Sequence, residues 1–140
     1  MNRKKEKPAV QVQMSLIVIE PEKASLLIEA LRHGSRSSPV SWITLATYTE
    51  LYTGSDMTAR TEVIDAMDDL LSLGVPVASK SNRKTGLGYF IVRTPNELRE
   101  AVKASDEYTI ERLERIDVHS WYSNVKRQLQ MLAYNTRNCL

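Results

Sequence analysis

The stretch of sequence that decides the fold is residues 47–94, TYTELYTGSDMTARTEVIDAMDDLLSLGVPVASKSNRKTGLGYFIVRT. It opens on Thr47 and Glu50, which have the S/T-x-x-E spacing of a capping box, so a short helix is predicted over residues 48–53. Gly54 then ends this helix, because glycine adopts the left-handed backbone of a tight turn at little steric cost. The stretch therefore begins with a short helix and a turn.

A longer helix and a β-hairpin are predicted after the turn. The letters SDMT supply the next helix cap, and this helix runs to Leu73, where Gly74 stops it. Two strand candidates, VPVASKS and GYFIVRT, are joined by a loop rich in Asn, Lys and Gly, which predicts a hairpin. Pro76 keeps the first of these strands at an edge or near its start. The predicted buried face of the helix is Ala59, Val63, Ala66, Met67 and Leu70.

The flanking sequence predicts elements on both sides of this stretch. Residues 10–19 and residues 40–45 have the composition of strands, and a helix beginning at Pro21 lies between them. After the hairpin, TPNELREAV opens a long helix with Thr94 as its N-cap. The apolar phase of that helix slips around Asp117, where a bend or break is predicted.

Catalytic and cofactor motifs do not emerge from the sequence. His33 and His119 have no cysteine or carboxylate at metal-ligand spacing, and the acids of DAMDDL are typical of a solvated helix face. The glycines of Gly86-Leu87-Gly88 precede a strand, whereas a phosphate-binding glycine loop precedes a helix. We therefore expect neither an enzyme nor a metal or cofactor site.

Composition and charge indicate a globular chain that can meet a polyanion. Apolar residues make up 42% and charged residues 26% of the 140 residues, and the formal net charge is +2. The positive charge is concentrated in residues 1–7, with four cations against Glu6, and in residues 79–94, which hold four cations and no acid. The single Cys139 fits a reducing compartment, and no apolar run is long enough to span a membrane. We therefore expect a cytoplasmic protein.

The order of the elements resembles that of the winged helix-turn-helix family, found in small DNA-binding proteins of bacteria and their phages. The resemblance covers residues 47–94: YTGSDMTARTEVIDAM is similar to its turn and recognition helix, and LLSLGVPV and GYFIV to the wing strands. It implies an α+β fold with an N-terminal strand and helix. The expected organisation is a basic flexible arm over 1–9, a winged-helix domain over 10–94 and a C-terminal helical extension over 95–140.

The same resemblance implies sequence-specific binding of double-stranded DNA, in transcription control or replication-origin recognition. The recognition helix would read the major groove, while the wing would contact phosphates or the adjacent minor groove. The alternative is a protein-interaction module that binds a host polymerase or a replication protein through the acidic part of the helix. The expected DNA-binding residues are Thr58, Arg60 and Thr61 on the helix and Lys80, Asn82, Arg83 and Lys84 on the wing.

A second apolar stripe in the C-terminal region predicts a packing surface. Because the winged core is complete without it, we expect this stripe to form a homodimer or to meet another partner. Packing against residues 10–19 of the same chain is the competing interpretation. The stripe consists of Val118, Tyr122, Val125, Leu129 and Leu132.

Overall fold

The computed structural model describes residues 19–49, 56–83 and 86–138. These residues form an α+β fold with six helices and one three-stranded antiparallel sheet. In chain order the elements are α1 Pro21–Arg32, β1 Val40–Ser41, α2 Trp42–Tyr48, α3 Asp56–Leu73, β2 Val77–Asn82, β3 Gly86–Ile91, α4 Pro95–Lys103, α5 Glu107–Leu113 and α6 Trp121–Asn138.

Several predictions fall on residues outside this description. They are the arm over residues 1–9, the strand over residues 10–19 except its last residue, the turn at Gly54, and Lys84 on the wing.

The segment before α3 differs from the prediction in the position of its helix. Residues 40–45 were expected to form a strand, but only Val40 and Ser41 pair with β3, and α2 begins at Trp42. The Ser41 hydroxyl accepts the backbone N–H of Thr44 at 3.2 Å and so caps α2. The expected capping box of Thr47 is wrong, since the Thr47 hydroxyl lies within α2 and donates to the Ile43 carbonyl at 2.9 Å. The cap therefore lies one and a half turns earlier than the sequence spacing indicated.

Helix α3 and its buried face are as predicted. Its expected apolar positions are all buried, and the helix ends at Leu73. Gly74 has a φ of 109°, a left-handed conformation that glycine tolerates better than other residues. The backbone N–H of Val75 reaches the Leu70 carbonyl at 3.0 Å, which closes the last turn of the helix.

The β-hairpin is also as predicted, and it forms most of the sheet. Strands β2 and β3 pair in register from Val77 opposite Ile91 to Asn82 opposite Gly86. β1 joins the other side of β3, so that the strand order is β1-β3-β2. A Cβ atom on Gly88 would lie 3.1 Å from the Pro39 side chain, so the loop before β1 approaches the β3 backbone closely at this point.

The C-terminal region forms three helices rather than one long helix with a single break. Helix α4 begins as expected, because the Thr94 hydroxyl accepts the backbone N–H of Glu97 at 3.1 Å. An additional break follows Lys103, and the Asp106 carboxylate caps α5 by accepting the backbone N–H of Thr109 at 2.8 Å. The break expected around Asp117 is confirmed, since this residue lies between α5 and α6.

One hydrophobic core joins the elements before and after residue 94. Side chains of α1, α2, α3 and the sheet share a cluster with Leu113, Trp121 and Val125 from the C-terminal region. Val125 is 2% exposed and Leu113 is 0% exposed. The C-terminal helices are therefore built into the same core as the hairpin. Among the described residues, no helix combines the length and apolar character needed to cross a membrane.

Candidate nucleic-acid interface

The N-terminal half of α3 presents one polar face to solvent and one apolar face to the core. Ala59 and Val63 are fully buried, whereas Thr58, Arg60 and Thr61 are exposed. The sequence therefore correctly indicated which residues of this helix meet solvent, because burial alternates at helical spacing. These three side chains form the helix part of the candidate interface.

Tyr89 links this helix to the hairpin. Its side chain is 7% exposed on β3, and burial raises the pKa of its hydroxyl to about 12. The Asp68 carboxylate adds to this rise and the Arg60 guanidinium opposes it, so both helix side chains lie within electrostatic range of the same phenol. The exposed half of α3 and the hairpin therefore adjoin each other.

Cationic side chains lie at the tip of the hairpin and on one of its faces. Arg83 is exposed at the turn between β2 and β3. The Lys80 ammonium donates to the Arg36 carbonyl at 3.2 Å, across the face of the sheet where Gly88 lies against Pro39. Arg36 is itself exposed, and no local sequence pattern indicated that the loop before β1 would lie beside the wing. The structure describes only the backbone of Asn82, and Lys84 lies outside the described residues.

Arg93 has a structural role that its charge did not reveal. Its guanidinium donates to the Gly34 carbonyl at 2.9 Å and to the Arg32 carbonyl at 2.8 Å. These carbonyls belong to the C-terminal end of α1, which lacks intrahelical partners for them. Arg93 therefore binds the end of a helix and is not part of the wing surface.

The C-terminal half of α3 is acidic and partly apolar. Burial is the largest cause of the raised pKa values of Asp68 and Asp69, and repulsion from Asp65 raises both further. Ile64 is 37% exposed beside them. A groove of about 240 Å³ lies between this half of α3, the start of β2 and residues 104–106. The helix therefore has a polar, Arg60-bearing end and an acidic end.

The predicted dimerisation stripe packs largely within the chain. Val125 and Leu129 are buried, and α6 lies along α1, which is a different element from the expected residues 10–19. Tyr122 and Val118 are half-buried against the core, while Leu132 is 38% exposed. Homodimerisation stays a prediction, but the two most buried residues of the stripe are already covered by the same chain.

Metal-ligating side chains do not converge in the described part of the chain. No group of three or more His, Asp, Glu or Cys residues lies close enough there to hold a metal ion. His33 is the C-cap residue of α1, and the backbone N–H of His119 donates to the Asp117 carboxylate at 2.9 Å. Both histidine residues are exposed.

Comparison with known proteins identifies no relative: no family model, no curated protein and no solved structure matches this chain.

Proposed function

We propose that the protein is a winged helix-turn-helix protein that binds double-stranded DNA in a sequence-specific manner. The observation that carries this proposal is the arrangement of α1, β1, α2, α3, β2 and β3 around a sheet of strand order β1-β3-β2. In this arrangement an exposed helix end adjoins a basic hairpin, as a recognition helix adjoins its wing.

The polar end of α3 has the chemistry needed to read a major groove. The Arg60 guanidinium can bind the O6 and N7 acceptors of guanine or a phosphate. Thr58 and Thr61 can bind phosphate through their hydroxyls or contact a thymine methyl group. The N-terminal end of a helix also carries partial positive charge, which favours its approach to the DNA backbone.

The acidic end of α3 is compatible with this docking if the helix enters the groove N-terminus first. Asp68 follows Arg60 by eight residues, which corresponds to about 12 Å along a helix. Repulsion between this carboxylate and phosphates weakens over such a distance in salt solution, where the Debye length is about 8–10 Å. We therefore expect the first two turns of α3, and not its acidic half, to contact DNA.

The wing supplies the contacts that do not depend on sequence. We propose that Arg83, at the turn between β2 and β3, and Lys84, which follows it in the sequence, contact phosphates or the adjacent minor groove. Lys80 and Arg36 extend this basic surface towards the loop before β1. Asn82 completes the set of wing residues that we propose for DNA binding.

The proposed biological setting is transcription control or replication-origin recognition in a bacterium or one of its phages, in the cytoplasm. A homodimer is proposed because winged-helix proteins that recognise palindromic sites use two copies. Any dimer surface has to lie outside the buried residues Val125 and Leu129.

A second candidate function is binding of a polymerase or a replication protein. It is favoured by the exposed Ile64 between the acids of α3, since an apolar side chain ringed by charge is typical of a protein contact. On this proposal, Ile64→Glu would abolish partner binding and leave any DNA binding unchanged.

Selection of bound duplexes from random DNA at low salt distinguishes the two functions. Enrichment of a common sequence supports DNA recognition, and light scattering of the same sample gives the oligomeric state. Failure to enrich any sequence would contradict the DNA proposal and favour the protein-binding module.

A further inference from the structure

Strand β2 has an open hydrogen-bonding edge. It lies at one side of the sheet, and the Val92 N–H donates to the Pro76 carbonyl at 2.8 Å. In an antiparallel ladder, residues alternate between pairs that exchange hydrogen bonds and pairs that do not. Counting from Pro76, the backbone groups of Ser79 and Ser81 therefore point away from β3.

No hydrogen bond to these outward backbone groups is formed by any residue of the described ranges. Val77 differs, because its N–H donates a hydrogen bond to the Val75 carbonyl, 2.8 Å away. Ser79 and Ser81 are also exposed, whereas Val77 and Ala78 are buried. The open part of the edge therefore begins at Ser79.

A groove begins at this same place on the edge. Its walls are Ile64 and Asp68 of α3 on one side and residues 104–106 on the other, and Ser79 lies between them. Extended peptides that add to a sheet edge combine main-chain hydrogen bonds with pockets for alternate side chains. The edge of β2 offers outward backbone groups for such hydrogen bonds, and the adjoining groove offers a pocket for side chains.

The groove also carries two carboxylates, those of Asp68 and Asp106. Asp68 is repelled by Asp65 and Asp106, and the attraction of Arg112 does not offset burial and this repulsion, so the pKa of Asp68 is raised. The Arg112 guanidinium stacks instead on the Tyr108 ring, 3.8 Å from its centroid. A positively charged ligand strand would therefore gain from these carboxylates.

The chain itself holds a segment with the matching chemistry. Residues 1–7 contain four cations against one acid, and residues 10–14 alternate as VQVQM, with apolar side chains at every second position. This alternation is typical of a strand with one buried face. The five residue steps from Met14 to Ile19 span up to roughly 17 Å when extended, so a strand that ends at Met14 lies within that distance of Ile19.

We propose that residues 9–14 of this chain add a strand to the open edge of β2 at Ser79 and Ser81, and that the cations of residues 3–7, which precede Pro8, lie against Asp68 and Asp106. The positive charges of the basic arm then offset the negative charge of the acidic half of α3, and the arm does not bind an external ligand. This proposal does not depend on DNA binding, because the contact is formed within the free protein.

Amide hydrogen exchange in the full-length protein tests the proposal. The amides of Ser79 and Ser81 are expected to exchange at least about tenfold more slowly than their sequence predicts. Val12→Pro removes a backbone donor and breaks the strand, so these two amides should lose that protection while buried α3 amides keep theirs. A synthetic peptide of residues 1–18 added to Val12→Pro should restore it.

A charge-reversal pair provides a second test that does not alter the backbone. Lys4→Glu with Lys5→Glu should reduce protection of the same two amides, while the matched control Arg99→Glu with Arg127→Glu, at exposed positions that do not line the groove, should not. Equal exchange of Ser79 and Ser81 in the wild type and both arm variants would overturn the proposal. Protection that disappears on dilution would also overturn it, since the strand would then come from a second copy. None of these samples contains DNA, so failure here leaves the proposed function standing.

Discussion

The Tyr122 phenol donates a hydrogen bond to the Glu29 carboxylate, 3.0 Å away, and this contact joins α6 to α1. The Arg32 guanidinium lies over the same ring, 4.2 Å from its centroid, and is 3.4 Å from the same carboxylate oxygen of Glu29. Three side chains from two helices thus form one connected group. The contact adds a polar link between α6 and α1 to the burial of Val125 and Leu129.

Removing the Tyr122 hydroxyl should lower the stability of the protein, because it removes the hydrogen bond between α6 and α1. Tyr122→Phe keeps the ring over which Arg32 lies and removes only the hydroxyl, so we expect a loss of about 0.5–1.5 kcal/mol in the free energy of unfolding. Urea denaturation measures this loss. Tyr108→Phe is the matched control, because its hydroxyl makes a longer contact, 3.4 Å, with the neutral Ser72 hydroxyl, which should contribute less than a bond to a carboxylate. Equal losses in the two variants would contradict a specific role for the Glu29 contact.

Leu129→Ala should destabilise each single chain. Leu129 is 6% exposed between α6 and α1, and truncation of a buried leucine costs about 2–5 kcal/mol through lost apolar contact and cavity formation. We expect a lower unfolding midpoint with no change in molar mass by light scattering. Met131→Ala, at a side chain that is 60% exposed on the same helix, should change stability by less than about 0.5 kcal/mol. A change in mass without loss of stability would instead assign Leu129 to an interface between copies.

Arg93→Ala should weaken the link between α1 and the start of α4. The variant leaves two carbonyls at the end of α1 without their donor, at a cost of about 1–2 kcal/mol after allowance for the exposed position of the guanidinium. Arg99→Ala is the control, because Arg99 is an exposed arginine of α4 that bonds only to Asn96 one turn away. Thermal unfolding compares the two. If the control lost as much stability as Arg93→Ala, the capping role would be wrong.

Asp117 gives the turn between α5 and α6 a stability that depends on pH. The backbone N–H of His119, the Ser120 side chain and the charge on His119 hold the pKa of Asp117 below its ordinary value of 3.8. Because the folded pKa is lowered, the contribution is present above the unfolded value and is lost as the pH falls through the folded pKa.

Asp117→Asn removes this titration, so the stability difference between the wild type and the variant should shrink as the pH falls below 3.8. Urea midpoints across an acid pH series measure the difference. If the difference in urea midpoint stayed constant or widened at low pH, the turn would not stabilise the charged form of the Asp117 carboxylate.

The sequence predicted the elements whose signals are local. Helix α3, its stop at Gly74 and the β2–β3 hairpin all follow from apolar spacing and turn residues, and the structure contains them. The segment WITL, residues 42–45, was misassigned because aromatic and β-branched residues favour strands, whereas here Ser41 caps a helix that buries Leu45. Tertiary packing decides such short apolar segments.

The parts of the candidate site that were missed depend on contacts across long sequence separations. Arg36 joins the wing surface because its loop approaches β3 closely at Gly88, where a Cβ atom would lie 3.1 Å from the Pro39 side chain. Arg93 was counted with the wing cations, and only the fold reveals that it binds the end of α1. Neither position carries a local signal, since charge alone does not indicate its partner.

The salt dependence of DNA affinity, compared between the wild type and Arg83→Glu with Lys84→Glu, tests the central claim most directly. About four to six phosphate contacts should give a slope of log affinity against log salt of roughly −4 to −5. The wing variant should bind more weakly and with a shallower slope, while Lys103→Glu with Arg115→Glu, the same change of charge at exposed positions away from the wing, should match the wild type. Wild-type affinity in the wing variant, or no binding at low salt by the unaltered protein, would contradict DNA binding through this surface.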